Sequence, residues 1–472
     1  MGSERKVALA ALMGLMIVLA GCTAQEPAEM DEETYKENRT NITGTGDTEV
    51  NVSGRKEPDE ADAGPDNTTI TVQPPEEADI SNETKVKSLD LEGDWPMSGY
   101  NPGRTGYSPV NPGLYSKPDT RAWEFSIESG LTGIETVPAV KEGAVYLTSS
   151  RELYGLNGGS GEKKWEFRAN EQQGMLSSPT VSEGKIYTAT IDPESSDTDR
   201  NSTVYAVGKD GKKEWSYNTG SLLLGAPVVS GDKVYTGDSR GVVSVLDKDT
   251  GERLSSFDVG VGVDHSLSVR DGTVYLTADP DAELLEAWNA ENGEKKWEYS
   301  TGGKITGPAV AGSKIYITSL NIDRSSYNKT VSSINLTTTI HSVNPETGKR
   351  AWKETFQGVV RETPAVARDK AFVPVSKLDE GKGTLYVLDG EGRRIGEKQF
   401  GSELLTSPSV GNTTVYLVEE EGVLHALGLN GDDRWSLDLK ASPGSRPVPL
   451  QNVVLFASEP GSLHALSGNS NK

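Results

Sequence analysis

The chain has 472 residues with 52 glycines and a formal charge of −23, and its pI lies near 4.7. Lys and Arg neutralising phosphates are what grips nucleic acid without regard to sequence, so this balance excludes that class of partner. Val, Tyr, Thr and Ser are frequent and no stretch holds an apolar period of 3.6 residues, so the folded part reads as all-β.

In chain order, Arg5-Lys6 is followed by the apolar run Val7 to Ala20 and then by Leu19-Ala20-Gly21-Cys22. A charged start, a short apolar stretch and small residues before a cleavage point make residues 1–21 a signal peptide. The run has fourteen residues, fewer than the roughly 20 a spanning helix needs. Leu-Ala-Gly-Cys resembles a lipobox, which makes Cys22 the lipidation site and the membrane a partner through that anchor. A cleaved secretory signal with an incidental cysteine is the alternative, and both place the mature chain outside the cytoplasm.

Residues 22–92 are crowded with Glu, Asp, Thr, Asn and Pro and nearly free of aromatics, so they read as a disordered acidic tether. Residues 23–92 hold 19 acids and 6 bases, a charge of −13; residues 1–22 add +1, leaving −11 for the remainder. The acidity is thus a property of the spacer more than of a binding surface. Asn-x-Ser/Thr sequons stand at Asn38, Asn41, Asn51, Asn67, Asn82, Asn201, Asn328, Asn335 and Asn412 as glycosylation candidates, with chance occurrence in a Thr-rich chain as the alternative. A lipobox with sequons suits an archaeal surface better than a bacterial periplasm.

From residue 93 to 472 the chain repeats itself. Pro138-Ala-Val-Lys-Glu-Gly-Ala-Val-Tyr146 recurs from Pro179, Pro227, Leu267, Pro308, Pro364, Pro408 and Pro447, at separations of 41, 48, 40, 41, 56, 44 and 39 residues. That period belongs to a propeller blade of four strands, and eight copies predict an eight-bladed β-propeller of antiparallel blades. The long intervals contain insertions, Asp192 to Asn201 and Asn321 to about Leu336, the places where a partner-specific surface is expected.

Each copy continues with a third strand such as Leu153-Tyr-Gly-Leu156, a Gly-rich turn, and a fourth strand carrying a large aromatic. Trp165, Trp215, Trp297, Trp352 and Trp435 each stand four residues after the turn glycine, and Ser255 and Gly396 replace them in the third and sixth copies, which are expected to be the weaker blades. A thin blade must bury its faces against its neighbours, and an indole suits that gap while its N–H reaches a backbone carbonyl. The eighth copy ends after Leu463-His-Ala-Leu466, and Thr120-Arg-Ala-Trp123-Glu-Phe125 has the form of a fourth strand. The strand at about 120–127 is therefore expected to complete the last blade and remove the open edge.

The order Ser-Pro-x-Val, Val-Tyr, Leu-Tyr-Ala-Leu-Asp and Thr-Gly-x-x-x-Trp resembles the pyrroloquinoline quinone-like repeat. Trp95-Pro-Met-Ser-Gly-Tyr100-Asn-Pro-Gly-Arg104-Thr-Gly is similar to the segment that leads into such propellers. The resemblance implies the fold. For function it points several ways: quinone-dependent alcohol and glucose dehydrogenases, the lipoprotein of the outer-membrane barrel-assembly machinery, sensor domains and surface proteins.

A dehydrogenase of that kind implies a calcium-held quinone, a catalytic Asp, an Arg beside the cofactor, and often a disulfide or an attached haem. One cysteine supports neither disulfide nor haem, and turn carboxylates such as Asp247, Asp249 and Glu252 follow no calcium-loop spacing. His341, His425 and His464 share one place in their third strands and read as packed repeat residues. His265, beside Asp264, breaks the pattern at an inner-strand entrance, where it reads as a polar residue at a strand end, with a pair that titrates near neutral pH as the alternative. The expectation is a membrane-anchored extracytoplasmic scaffold, monomeric, without catalytic, cofactor or metal residues, that binds a protein or glycan at the cell surface. A quinone-dependent oxidoreductase or a small-ligand sensor is the alternative.

Overall fold

The computed structural model describes Leu89 and residues 91–468, apart from 111–113, 115, 119, 128–133, 135, 170–174, 192–200, 264, 266, 279–282, 324–334 and 460. Chain contacts divide the molecule into residues 1–84 and 85–472, and the described residues belong to the second unit. The signal peptide, Cys22 and the first five sequons lie outside them. Ordered contacts reach back to Leu89 and Leu91, inside the stretch read as tether, because Leu91 is buried beside Trp95.

Eight antiparallel sheets follow one another around a ring, so the eight-bladed propeller is as expected. Blade one shows the pattern: Ala139–Lys141, Ala144–Ser149, Glu152–Asn157 and Lys163–Arg168, from the axis outward. The inner three strands are Val-, Tyr- and Leu-rich and buried, whereas the outer strand alternates exposed and half-buried residues. Blades two and five carry one extra two-residue strand each, Met175–Leu176 and Lys304–Ile305.

The ring closes by the predicted splice. Thr120–Ser126 pairs antiparallel with Ser462–Ser467, setting Trp123 opposite Ala465 and Phe125 opposite Leu463. Blade eight thus takes its outer strand from the far end of the chain, and no open sheet edge is left at the junction.

The core lies between the blades. Pairing registers align one residue from each of three strands in a row: Tyr146–Gly155–Trp165, Tyr187–Ala206–Trp215, Tyr275–Ala287–Trp297, Tyr316–Ser342–Trp352 and Tyr416–Ala426–Trp435. The middle residue is small because the indole lies across it; a Cβ on Gly155 would stand 2.2 Å from the Trp165 ring. Each Trp then reaches into the following blade. Trp123, Trp165, Trp215, Trp297 and Trp352 donate their indole N–H to the carbonyls of Gly158, Lys209, Lys248, Pro345 and Gly390, at 2.7 to 3.0 Å. Their rings cover the turn glycines Gly161, Gly211, Gly251, Gly348 and Gly392, all at positive φ, where any Cβ would collide with the indole.

At the seventh seam the chain that enters the ring completes the pattern. Trp435 donates to the carbonyl of Leu114 at 3.2 Å, and the Leu114 N–H donates to the Tyr416 hydroxyl at 2.5 Å. The entry segment therefore closes the ring twice, through Leu114 and through Trp123.

Candidate functional site

A propeller's inner strands present unpaired N–H and C=O groups to the central channel, and something must satisfy them. Here the chain does so itself. Trp95 exchanges both backbone hydrogen bonds with Val140, at 2.8 and 2.9 Å. The N–H groups of Val181, Val269, Val310, Val366 and Val410 then donate to the carbonyls of Pro96, Pro102, Gly103, Thr105 and Gly106, at 2.7 to 2.9 Å. Residues 95–108 are thus a strap across the channel that bonds six of the eight inner strands.

The strap's composition follows from its path. Pro96 and Pro102 offer a carbonyl without bringing a donor of their own. Gly103 passes so close to blade five that a Cβ would stand 2.4 Å from the Val310 carbonyl. Trp95 is fully buried and meets Tyr100 edge-on at 5.3 Å. The sequence singled out this segment by its resemblance alone; its role in filling the axis depends on contacts from 45 to more than 300 residues away.

The strap lies towards the end of the channel that carries the turns after the first strands, since Tyr100, Pro102 and Gly103 line one cavity with the turn residues Asp271, Gly312 and Asp369. On this turn face a cavity of about 640 Å³ opens between Tyr100, Tyr107, Val269, Val310 and Val366, rimmed by Arg270 and Arg368. The opposite, loop face carries the connections between blades. Both insertions also join second strands to third strands at that face, after Lys185–Ile191 and after Lys314–Asp323.

Charged groups gather at the loop-face mouth. Arg104 rises from the strap, and burial together with the charge of Arg446 lowers its pKa to about 10, with Glu362 acting in the opposite sense. Arg446 meets Glu362 at 3.3 Å, and Arg361 is engaged by Glu403 at 2.8 Å. His265 is half-buried, with Nε2 at 3.2 Å from the Ile305 carbonyl. Burial first, then Lys304 and Arg104, push its pKa down to about 4, so it is neutral at pH 7. This goes with the reading of His265 as a polar residue at a strand end; Asp264 lies outside the described residues.

The other histidines are packed repeat residues. His341 lies between the hydroxyls of Ser319 and Tyr299 at 2.8 and 2.9 Å, His425 meets Glu419 at 2.6 Å, and His464 meets Ser458 at 2.8 Å. Ser319 and Ser458 are buried, so the Ser-His contacts are core hydrogen bonds.

Of the sequons, Asn201 is exposed, whereas Asn412 is half-buried and accepts a hydrogen bond from Arg368. Asn335 pairs with Asp323 through its backbone, and Asn328 lies outside the described residues.

Among the described residues no three His, Cys, Asp or Glu side chains converge on a metal position. At the axis the carboxylate of Glu362 is taken by Arg446 and by the Ser407 N–H at 3.0 Å. This donor set is cationic: among the described residues it offers no cluster of free carboxylates to hold a calcium ion, and it suits an anion.

Comparison with known proteins gives one family and one fold. A family model described as "Outer membrane protein assembly factor BamB" matches residues 114–245, 239–338 and 336–472. No curated protein sequence matches the chain. Among solved structures it resembles BamB from Moraxella catarrhalis, at 15% identity and a TM-score of 0.55 over 74% of this chain and 99% of that one. It also resembles the quinohemoprotein alcohol dehydrogenase ADHIIG from Pseudomonas putida HK5, at 15% identity and a TM-score of 0.60 over 80% and 81%. The computationally designed Ika8 protein matches at 15% identity and a TM-score of 0.58 over 72% and 98%. At these identities the structures speak for the fold alone.

Proposed function

Because the chain belongs to the family described as outer membrane protein assembly factor BamB, whose model matches most of the propeller, we propose that it is a non-catalytic scaffold. In this reading it is lipid-anchored through Cys22, works outside the cytoplasm, and holds a protein or glycan partner on the loop face. The observation that carries the reading is the strap. Six inner strands spend their free edges on the chain's own carbonyls, so the channel is obstructed at one end and the rims and loops remain for recognition. The specificity elements are the insertions Asp192 to Asn201 and Asn321 to about Leu336, since blades vary least in strands and most in loops.

Crosslinking in the native envelope followed by mass spectrometry tests this. A recurrent adduct that disappears when either insertion is shortened supports the scaffold. Adducts independent of both insertions count against it. Incubating the full chain with pyrroloquinoline quinone and calcium tests the enzymatic alternative: a stoichiometric red-shifted absorbance with dye reduction overturns the scaffold reading. Cys22→Ser is expected to release the protein from the membrane fraction; retention there removes the anchor from the proposal.

A further inference from the structure

Just before the first strand of each blade, seven entrances carry Val137, Ser178, Ala226, Ser266, Gly307, Thr363 and Ser407. The eighth carries Arg446, which is only 6% exposed. One of its terminal nitrogens meets Glu362 at 3.3 Å. Another stands over Gly106 of the strap, where a Cβ would lie 3.1 Å away. Its Nε is buried without a hydrogen-bond partner, and an unpaired donor on a buried cation is costly to keep.

Arg104 faces the same place from the strap, close enough for burial and the charge of Arg446 together to lower its pKa. Lys304 adds a third cation whose field is felt at His265. Among the described residues Glu362 is the carboxylate that acts on Arg104 and meets Arg446, since Glu403 is engaged by Arg361 at 2.8 Å. Arg104 and His265 are half-buried, so the cluster stays open to solvent. Two guanidinium groups at one open mouth, answered by the carboxylate of Glu362, leave excess positive charge and an unused buried donor, the chemistry that oxyanions take from arginine pairs.

We propose that the loop-face mouth of the channel binds a small oxyanion, a phosphate or a carboxylate, between Arg104 and Arg446. Glu362 holds Arg446 from one side, the strap supplies Arg104 from below, and Lys304 adds long-range attraction. The site goes beyond the scaffold reading and does not depend on it.

Calorimetric titration of the full chain at pH 7 tests the site, with inorganic phosphate and with succinate as probes and potassium chloride holding ionic strength constant. Saturable binding of at least one probe is expected. Arg446→Ser restores the kind of residue found at the other entrances, so the ring is expected to fold, as a retained melting transition checks. Affinity is expected to fall at least tenfold in Arg446→Ser and in Arg104→Gln, and to be unchanged in Arg270→Gln on the turn face. Response to phosphate alone, succinate alone or both identifies which oxyanion chemistry the site takes. No saturable binding of either probe to the unmodified protein, or equal affinity in Arg446→Ser, overturns the proposal.

Discussion

The seam between blades two and three and the seam between blades three and four are filled by different side chains under the same constraint. In the first, Tyr187–Ala206–Trp215 form the row, and the indole donates to Lys248 at 3.0 Å. In the second, the row is Tyr235–Val245–Ser255. Where the large residue is lost from the fourth strand, the third strand grows from Ala to Val. The Ser255 hydroxyl keeps the hydrogen bond, to the Ala290 carbonyl at 3.3 Å. Phe257, two residues on, covers the turn glycine Gly293 and stacks on Trp288 at 5.6 Å. The seam after blade six adjusts in another way: Val387 again stands in the third strand, and Gly396 lets the Asn430 carbonyl come within 2.0 Å of where a Cβ would be. Seam volume and one inter-blade hydrogen bond are what a blade must supply, and an indole is one way to supply both.

Both seams need a closed ring, so the largest effect is expected from opening it. Deleting residues 120–127 removes Trp123 and the outer strand of blade eight; the product is expected to aggregate or become protease-sensitive, and an unchanged melting curve contradicts the splice. Next in size, Trp215→Ala is expected to cost about 3–5 kcal/mol in denaturant unfolding. Ser255→Ala loses one modest hydrogen bond and is expected to cost about 1 kcal/mol. Equal costs at the two positions mean that the indole seam is not the stronger one.

Acid strains the polar part of a seam. His341 contacts Tyr299 of the preceding blade and is buried, and burial with the charges of Lys353 and Arg350 lowers its pKa to about 4 from 6.5. Below pH 6.5 the unfolded chain takes up this proton while the folded chain does not. Stability is therefore present above that pH and declines as the pH falls towards 4, by about 3 kcal/mol. His341→Gln is expected to flatten that decline in melting temperature between pH 7 and 4; an identical slope assigns the acid sensitivity to other groups.

The smallest effect is the most diagnostic. Ser255→Trp alone is expected to overpack against Val245 and destabilise. Paired with Val245→Ala it rebuilds the row of the neighbouring blade, and a double-mutant cycle is expected to give a favourable coupling of about 1 kcal/mol. Zero coupling means that the small third-strand residue is not there for the indole.

Much of this architecture was readable from the chain because it depends on local rules applied eight times. The Trp four residues after a turn glycine announced both the seam and its hydrogen bond, and Trp123 ahead of the first copy announced the splice. The compensation of Ala206 by Val245 was present in the letters but has meaning only once strand registers are known, since it links residues about 10 positions apart across two strands. His265 was readable as a polar residue at a strand end, but its burial beside Arg104 and Lys304, which holds it neutral, has no sign in its neighbours in sequence.

Repetition, composition and spacing by themselves determined the number of blades, their boundaries and the way the termini share a sheet, because each copy carries its own turns and apolar alternation. Only the tertiary structure decided what fills the axis. The strap's bonds to six inner strands, and the meeting of Arg104 with Arg446 some 340 positions later, arise because a closed ring brings every blade to one centre, and that convergence has no trace in any single repeat.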